Sequence, residues 1–150
     1  MVSTALSAIK ELFDGDEGIA ALIPQHAFYV KAPDTTDLTN GAIAVVEHRG
    51  EVWDRTTETI FKELTIGLLV FANSFATLDE TIWPALEDTF QDAESWLVIG
   101  GHTVYNLEIT NVKMALEEYQ DAGSNDVYSL DIELRLQYQR LRAGSELGSE

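Results

Sequence analysis

Apolar residues recur along the chain in two periods, and the switches between them mark the elements. Near the start Leu6, Ile9, Leu12 and Phe13 share one face at helical spacing, with Ser3 placed as the cap. Asp14-Gly15-Asp16 ends that helix, and Asp16 caps a second short one over residues 18–23, closed by Pro24. Residues 27–30 read as a strand. Residues 31–41 hold Pro33, Asp34, Thr35, Thr36, Asp37 and Asn40, which is loop chemistry. Residues 42–48 form a second strand rich in Ile and Val, followed by a turn at Arg49-Gly50-Glu51.

The stretch 59–71 is the most informative. Ile60, Leu64, Ile66, Leu68 and Val70 alternate on one face, while Phe61, Leu69 and Phe71 put apolar groups on the other. A strand apolar on both faces lies centrally, or meets a second layer or another subunit. Gly67 within it marks a bulge or a close backbone approach. Ser74 then caps the main helix, expected over residues 75–93, with Leu78, Ile82, Ala85, Leu86 and Phe90 as its apolar stripe. Pro84 inside that pattern predicts a kink or a late start.

Two long strands finish the pattern. In the first, Tyr105, Leu107 and Ile109 share one phase and Val112, Met114 and Leu116 the other, so an extra residue is expected near Thr110-Asn111. Residues 121–126 make a hairpin loop. In the last strand Tyr128, Leu130, Ile132, Leu134, Leu136 and Tyr138 face one way, and Ser129, Asp131, Glu133, Arg135, Gln137 and Gln139 the other. The order predicts an α+β fold: a largely antiparallel sheet of about five strands with the helices on one face. Residues 1–143 are expected to form one domain and residues 144–150 a flexible tail, since that tail has no core pattern.

Composition narrows the function. Nine basic against 26 acidic residues give a net charge of −17 across 150 residues. Such a surface is a poor grip for nucleic-acid phosphates or anionic lipid. The absence of cysteine removes disulfides, thiolate metal sites and cysteine nucleophiles. No apolar run is long enough to span a bilayer, and the start lacks the pattern of a secretory signal. His26, His48 and His102 have no metal-ligand spacing, no nucleophile elbow is present, and Gly100-Gly101 lacks the rest of a phosphate-binding loop. The carboxylates are so numerous that most must be solvated, and Asp34, Asp37 and Asn40 do not follow the order of a calcium loop. No catalytic residue, metal ligand or cofactor is therefore expected.

The layout resembles the tail-terminator (tail-completion) proteins of long-tailed bacteriophages. The resembling features are the N-terminal helix followed by Gly-Ile-Ala-Ala-Leu-Ile-Pro, then a strand, a polar loop and a second strand. The apolar run Glu63-Leu64-Thr65-Ile66-Gly67-Leu68-Leu69-Val70-Phe71 leads into an amphipathic helix, and two long strands close the fold. The resemblance implies a structural, non-enzymatic virion protein, assembled in the host cytoplasm. It would form a ring, typically a hexamer, that caps the head-proximal end of the tail tube, ends polymerisation and offers the head-joining surface. Its partners would be other copies, the tail-tube protein and the head–tail connector, with DNA passing through without specific binding. Expected contact residues are Asp34, Asp37 and Asn40 in the polar loop, Arg49, Trp53 and Arg55 around the following turn, and Arg135 and Arg140 on the last strand. The alternatives are a head-completion or head-to-tail connector protein, and a small ligand-binding or hydrolytic α+β domain.

Overall fold

Hydrophobic alternation sets the sheet, and the computed structural model describes it through residues 2–28, 38–55, 59–91, 98–99 and 102–141. Its elements are α1 (Val2–Gly15), α2 (Glu17–Leu22), β1 (Gln25–Phe28), β2 (Ile43–Arg55), β3 (Thr59–Ala72), α3 (Phe75–Thr77), α4 (Trp83–Gln91), β4 (Val98–Ile99), β5 (His102–Gln120) and β6 (Asp126–Leu141). The strand order is β1-β2-β3-β6-β5-β4. Four long strands, β2, β3, β6 and β5, pair antiparallel throughout. Short β1 lies parallel to the start of β2, and the two-residue β4 pairs with the start of β5. The α+β class is as the sequence implied, with four long strands and two short edge pieces in place of about five.

β3 is central, between β2 and β6. Its Leu64, Ile66, Leu68, Val70 and Ala72 join Leu130, Ile132, Leu134, Leu136 and Tyr138 of β6 on one face. Ile9 and Phe13 of α1, Ile19 and Ile23 from the α2 region, and Leu78, Ile82, Leu86 and Phe90 close over that face. This is the main core, and the helices lie on its side of the sheet. The opposite face carries a smaller apolar cluster at one end, where Ile43, Val45, Phe71 and Val127 pack under Leu38. The two-sided apolar character of β3 thus reflects a second, local layer within the chain.

Several boundaries depart from the sequence reading. α1 begins at Val2, so Ser3 sits inside the helix and not at its cap. β1 is earlier than expected, and Tyr29 and Val30 fall outside the described residues. The turn expected at Arg49-Gly50-Glu51 is strand: β2 continues, with Arg49 as the extra residue of a bulge between His48 and Gly50. A bulge absorbs one residue and bends a strand without ending its pairing.

Ser74 caps the main helix as expected, its hydroxyl accepting the Thr77 amide at 3.3 Å. The helix then widens into a π-helical turn, Leu78–Ile82, before α4. The Trp83 amide reaches back five residues to the Leu78 carbonyl. Pro84 gives the reason: it has no amide to donate, and its ring crowds the carbonyl four residues earlier, so the backbone opens by one residue instead of breaking. The expected extra residue in β5 is present, as a register shift between Ile109 and Asn111. Two further shifts, between Val104 and Asn106 and between Leu116 and Gln120, were not signalled by the alternation. The first of them puts Tyr105 in solvent, 52% exposed, instead of on the core face with Leu107.

Candidate functional site

The face of the sheet away from the helices is polar over most of its area, and it is organised by two arginines. Arg49 leaves the β2 bulge and lies across Gly67 of β3: a Cβ built on Gly67 would come within 2.1 Å of Arg49 Nε. The close approach expected at Gly67 is therefore made by a side chain. From there Arg49 donates to Glu47 at 2.9 Å and reaches Asp131 at 2.9 Å and Glu133 at 3.5 Å on β6. Desolvation works to lower the Arg49 pKa, but the hydrogen bonds and charges of Glu47 and Asp131 outweigh it and hold the guanidinium above its ordinary value.

Arg135 organises the neighbouring stretch. It pairs with Glu108 of β5 and lies 3.8 Å from Glu63 of β3. Asn106 donates to Glu108 at 3.0 Å and to Gln137 at 2.7 Å, and Gln137 donates to Glu63 at 2.8 Å. Hydrogen bonding by Asn106, then by Arg135 and its charge, lowers the Glu108 pKa below the usual carboxylate range. The charge and hydrogen bonding of Glu108 raise the Arg135 pKa in return. Both arginines singled out on this surface are thus engaged across strands of their own chain.

A third polar feature holds the end of the polar loop. Asp121 is buried at the β5–β6 turn and accepts the Leu38 amide at 2.6 Å, the Gly123 amide at 3.0 Å and the Asn125 amide at 2.7 Å. The Asn125 side-chain amide adds contacts to both carboxylate oxygens. Desolvation pushes the Asp121 pKa up, but hydrogen bonds from Asn125, Leu38 and Gly123 prevail and keep it below the ordinary range. The same contacts fix the 3-10 turn Leu38–Asn40, whose Leu38 roofs the second apolar cluster.

Of the remaining candidates, Asn40 lies in that turn, while Asp34 and Asp37 fall outside the described residues. Trp53 stands opposite Lys62 in register, and Arg55 and Arg140 flank Ile60 from β2 and β6. The candidates do not converge on one point. His26, His48 and His102 sit on three different strands. Among the described residues no group of three or more His, Asp or Glu is placed to hold a metal ion, and no helix is long and apolar enough to cross a membrane.

Sequence reasoning missed Gly67's partner, the Asp121 anchor and the acidic partners of Arg49 and Arg135. A signal for the first existed. A glycine on the polar phase of a central strand leaves room for a long side chain from a neighbour. It also missed where the described pairing stops on the two outer long strands. Beyond Val46, where β1 stops, β2 has no partner on its outer side among the described residues, and β5 has none beyond Thr103. The large apolar side chains left exposed among the described residues are Val52 on β2, Tyr105, Val112 and Leu116 on β5, and Phe75 at the start of α3. β3 and β6, the central pair, contribute none.

No family model matches the sequence, and no curated protein matches it either. Among solved structures the chain is similar to a chain of the virion of native gene transfer agent (GTA) particle. The TM-score is 0.57 and the identity 18%, over 89% of this chain and 92% of the other. At that identity the likeness is one of fold, extending over nearly the whole length of both chains.

Proposed function

We propose that the chain is a structural subunit of a phage-like particle, working as a ring that caps the head-proximal end of the tail tube. The ring stops tube growth and presents the surface that joins the head. The observation that carries this reading is the near end-to-end fold likeness to a chain of a virion particle. Three properties of the chain support it. Its polar sheet face is crossed by ion pairs that tie neighbouring strands together. Among the described residues its exposed large apolar side chains lie mainly on the two outer long strands, β2 and β5, where subunits can add. A net charge of −17 repels a phosphate backbone, so DNA can slide past a wall of such subunits without adhering. The tail-tube and connector proteins are then its partners, and no cofactor enters.

Removal of the coding sequence from a particle-producing host tests the reading, with electron microscopy as the readout. A tail terminator predicts tubes of uncontrolled length and heads left unjoined. Tubes of normal length beside unattached heads would assign the head-to-tail connector role instead. Normal, joined particles would contradict both.

A further inference from the structure

We propose that Asn40 is a site of spontaneous covalent modification: it closes on the Gly41 amide to a succinimide, which opens to aspartate or isoaspartate, and the Asp121 anchor sets the rate. The inference rests on the chemistry of the chain itself and is independent of its place in a particle.

Three observations carry it. The first is in the sequence. Of Asn40, Asn73, Asn106, Asn111 and Asn125, only Asn40 precedes a glycine. A following residue without a Cβ leaves its amide nitrogen unshielded, so ring closure there is the least hindered. The second is that position 41 requires glycine. Its φ is +119°, and a Cβ built on it would stand 2.5 Å from Cγ of Pro24. A bulkier neighbour therefore cannot shield Asn40 without disturbing the fold.

The third is the turn itself. Leu38–Asn40 is a 3-10 turn, and the Gly41 amide donates back to the Leu38 carbonyl at 3.2 Å. The Leu38 amide is held by Asp121 at 2.6 Å, and the Leu38 side chain is buried in the cluster of Ile43, Val45, Phe71 and Val127. The reaction needs the Gly41 nitrogen released. That nitrogen gives up its proton and bonds to Cγ of Asn40, the Cγ–Nδ2 bond breaks, and ammonia leaves. Water then opens the ring at one of its two carbonyls, giving aspartate or isoaspartate. A nitrogen whose hydrogen is bonded back to Leu38 in a helical turn cannot make that approach, so the turn must open first. Opening it means freeing Leu38 from Asp121 and from the apolar cluster, which is a local unfolding and not a global one. Isoaspartate then puts an extra methylene into the main chain. The turn cannot re-form in its old register, and the Leu38 roof stays loosened.

Incubation at mildly alkaline pH, followed by peptide mapping, is the test. The tryptic peptide 32–49 contains no other asparagine, so an amide-to-acid mass gain in it reports on residue 40. The guanidinium-unfolded chain should convert fastest and the native chain slowest. Asp121→Ala under native conditions should convert at least about tenfold faster than wild type, the factor expected on losing a hydrogen bond to a charged group. Leu38→Ala keeps Asp121 but loses the burial that closes the turn, and it should convert faster than wild type as well. It carries the test if Asp121→Ala is unfolded by far-UV circular dichroism. No conversion of residue 40 in the unfolded chain, or equal rates in the native and unfolded chains, would overturn the inference. Folded variants no faster than wild type would overturn the role of the anchor. The converted chain, separated by ion exchange through its added negative charge, should melt several degrees below the unmodified one. An unchanged midpoint would contradict a lasting loss of the turn.

Discussion

Gly67 and Arg49 occupy a place that only this pair can share, because a Cβ on residue 67 would stand where the guanidinium lies. Gly67→Ala should therefore displace Arg49 and cost about what Arg49→Ala costs, roughly 1 kcal/mol for a partly exposed cluster. The double variant should cost little more than either single one. Urea unfolding of the three proteins checks this, and full additivity would show that the two residues are independent. Asp121 acts by collecting donors from two segments far apart in sequence. Asp121→Ala should lower the thermal midpoint by several degrees by freeing the Leu38 turn. Its folded pKa is depressed, so its contribution is complete above about pH 4, where the carboxyl of the unfolded chain is ionised. It is lost as the pH falls through the lower folded value. The gap in midpoint between wild type and variant should accordingly be constant at neutral pH and shrink below about pH 4. Very little of this was legible in the sequence. Arg49 was marked only as part of an expected turn and Arg135 as one of the scarce basic residues on the last strand, and their partners depend on strand register, which no local pattern states. Asp121 looked like one more turn residue because its main partner, Leu38, is supplied by a distant loop.

At the level of elements the alternation was a good guide where it was unbroken. β6 was readable residue by residue, since Leu130 to Tyr138 keep strict phase and all of the core-facing set is buried. The phase change in β5 gave away the bulge beside Thr110, because a period of two cannot shift without an added residue. Deleting Thr110 should close the bulge and leave Leu107, Ile109, Val112 and Met114 together on the core side of an unbroken strand, so the urea midpoint should change little, and a large fall would show that the bulge itself is needed. The bulge at Arg49 was misread as a turn. Arg-Gly-Glu has turn chemistry, and only pairing with β3 reveals that the strand continues. The helix shows the opposite case: Pro84 announced a disturbance correctly, and the form it takes, a widened turn over Leu78–Ile82, preserves the buried series Leu78, Ile82, Leu86 and Phe90. Ile82→Ala should cost about 2–4 kcal/mol by chemical unfolding, as for any large core truncation.

Taken whole, the molecule is a helical layer on one face of an antiparallel sheet whose other face is closed at one end by Leu38 and tied down elsewhere by ion pairs. The fold class followed from the order of periods. Strand order did not, because nothing local says that β6 inserts between β3 and β5. The large negative charge has a consequence at this scale. Copies of a chain at −17 repel one another, and salt screens that repulsion. Association of copies should hence strengthen as salt is raised. Static light scattering of the purified chain, taken over a range of concentration and salt, puts this to the most direct trial. A discrete mass at one fixed multiple of the 16.6 kDa subunit, favoured by salt and showing no further growth, is the result that a closed annulus requires. A single-chain mass under every condition, or open-ended growth with no preferred multiple, would contradict it.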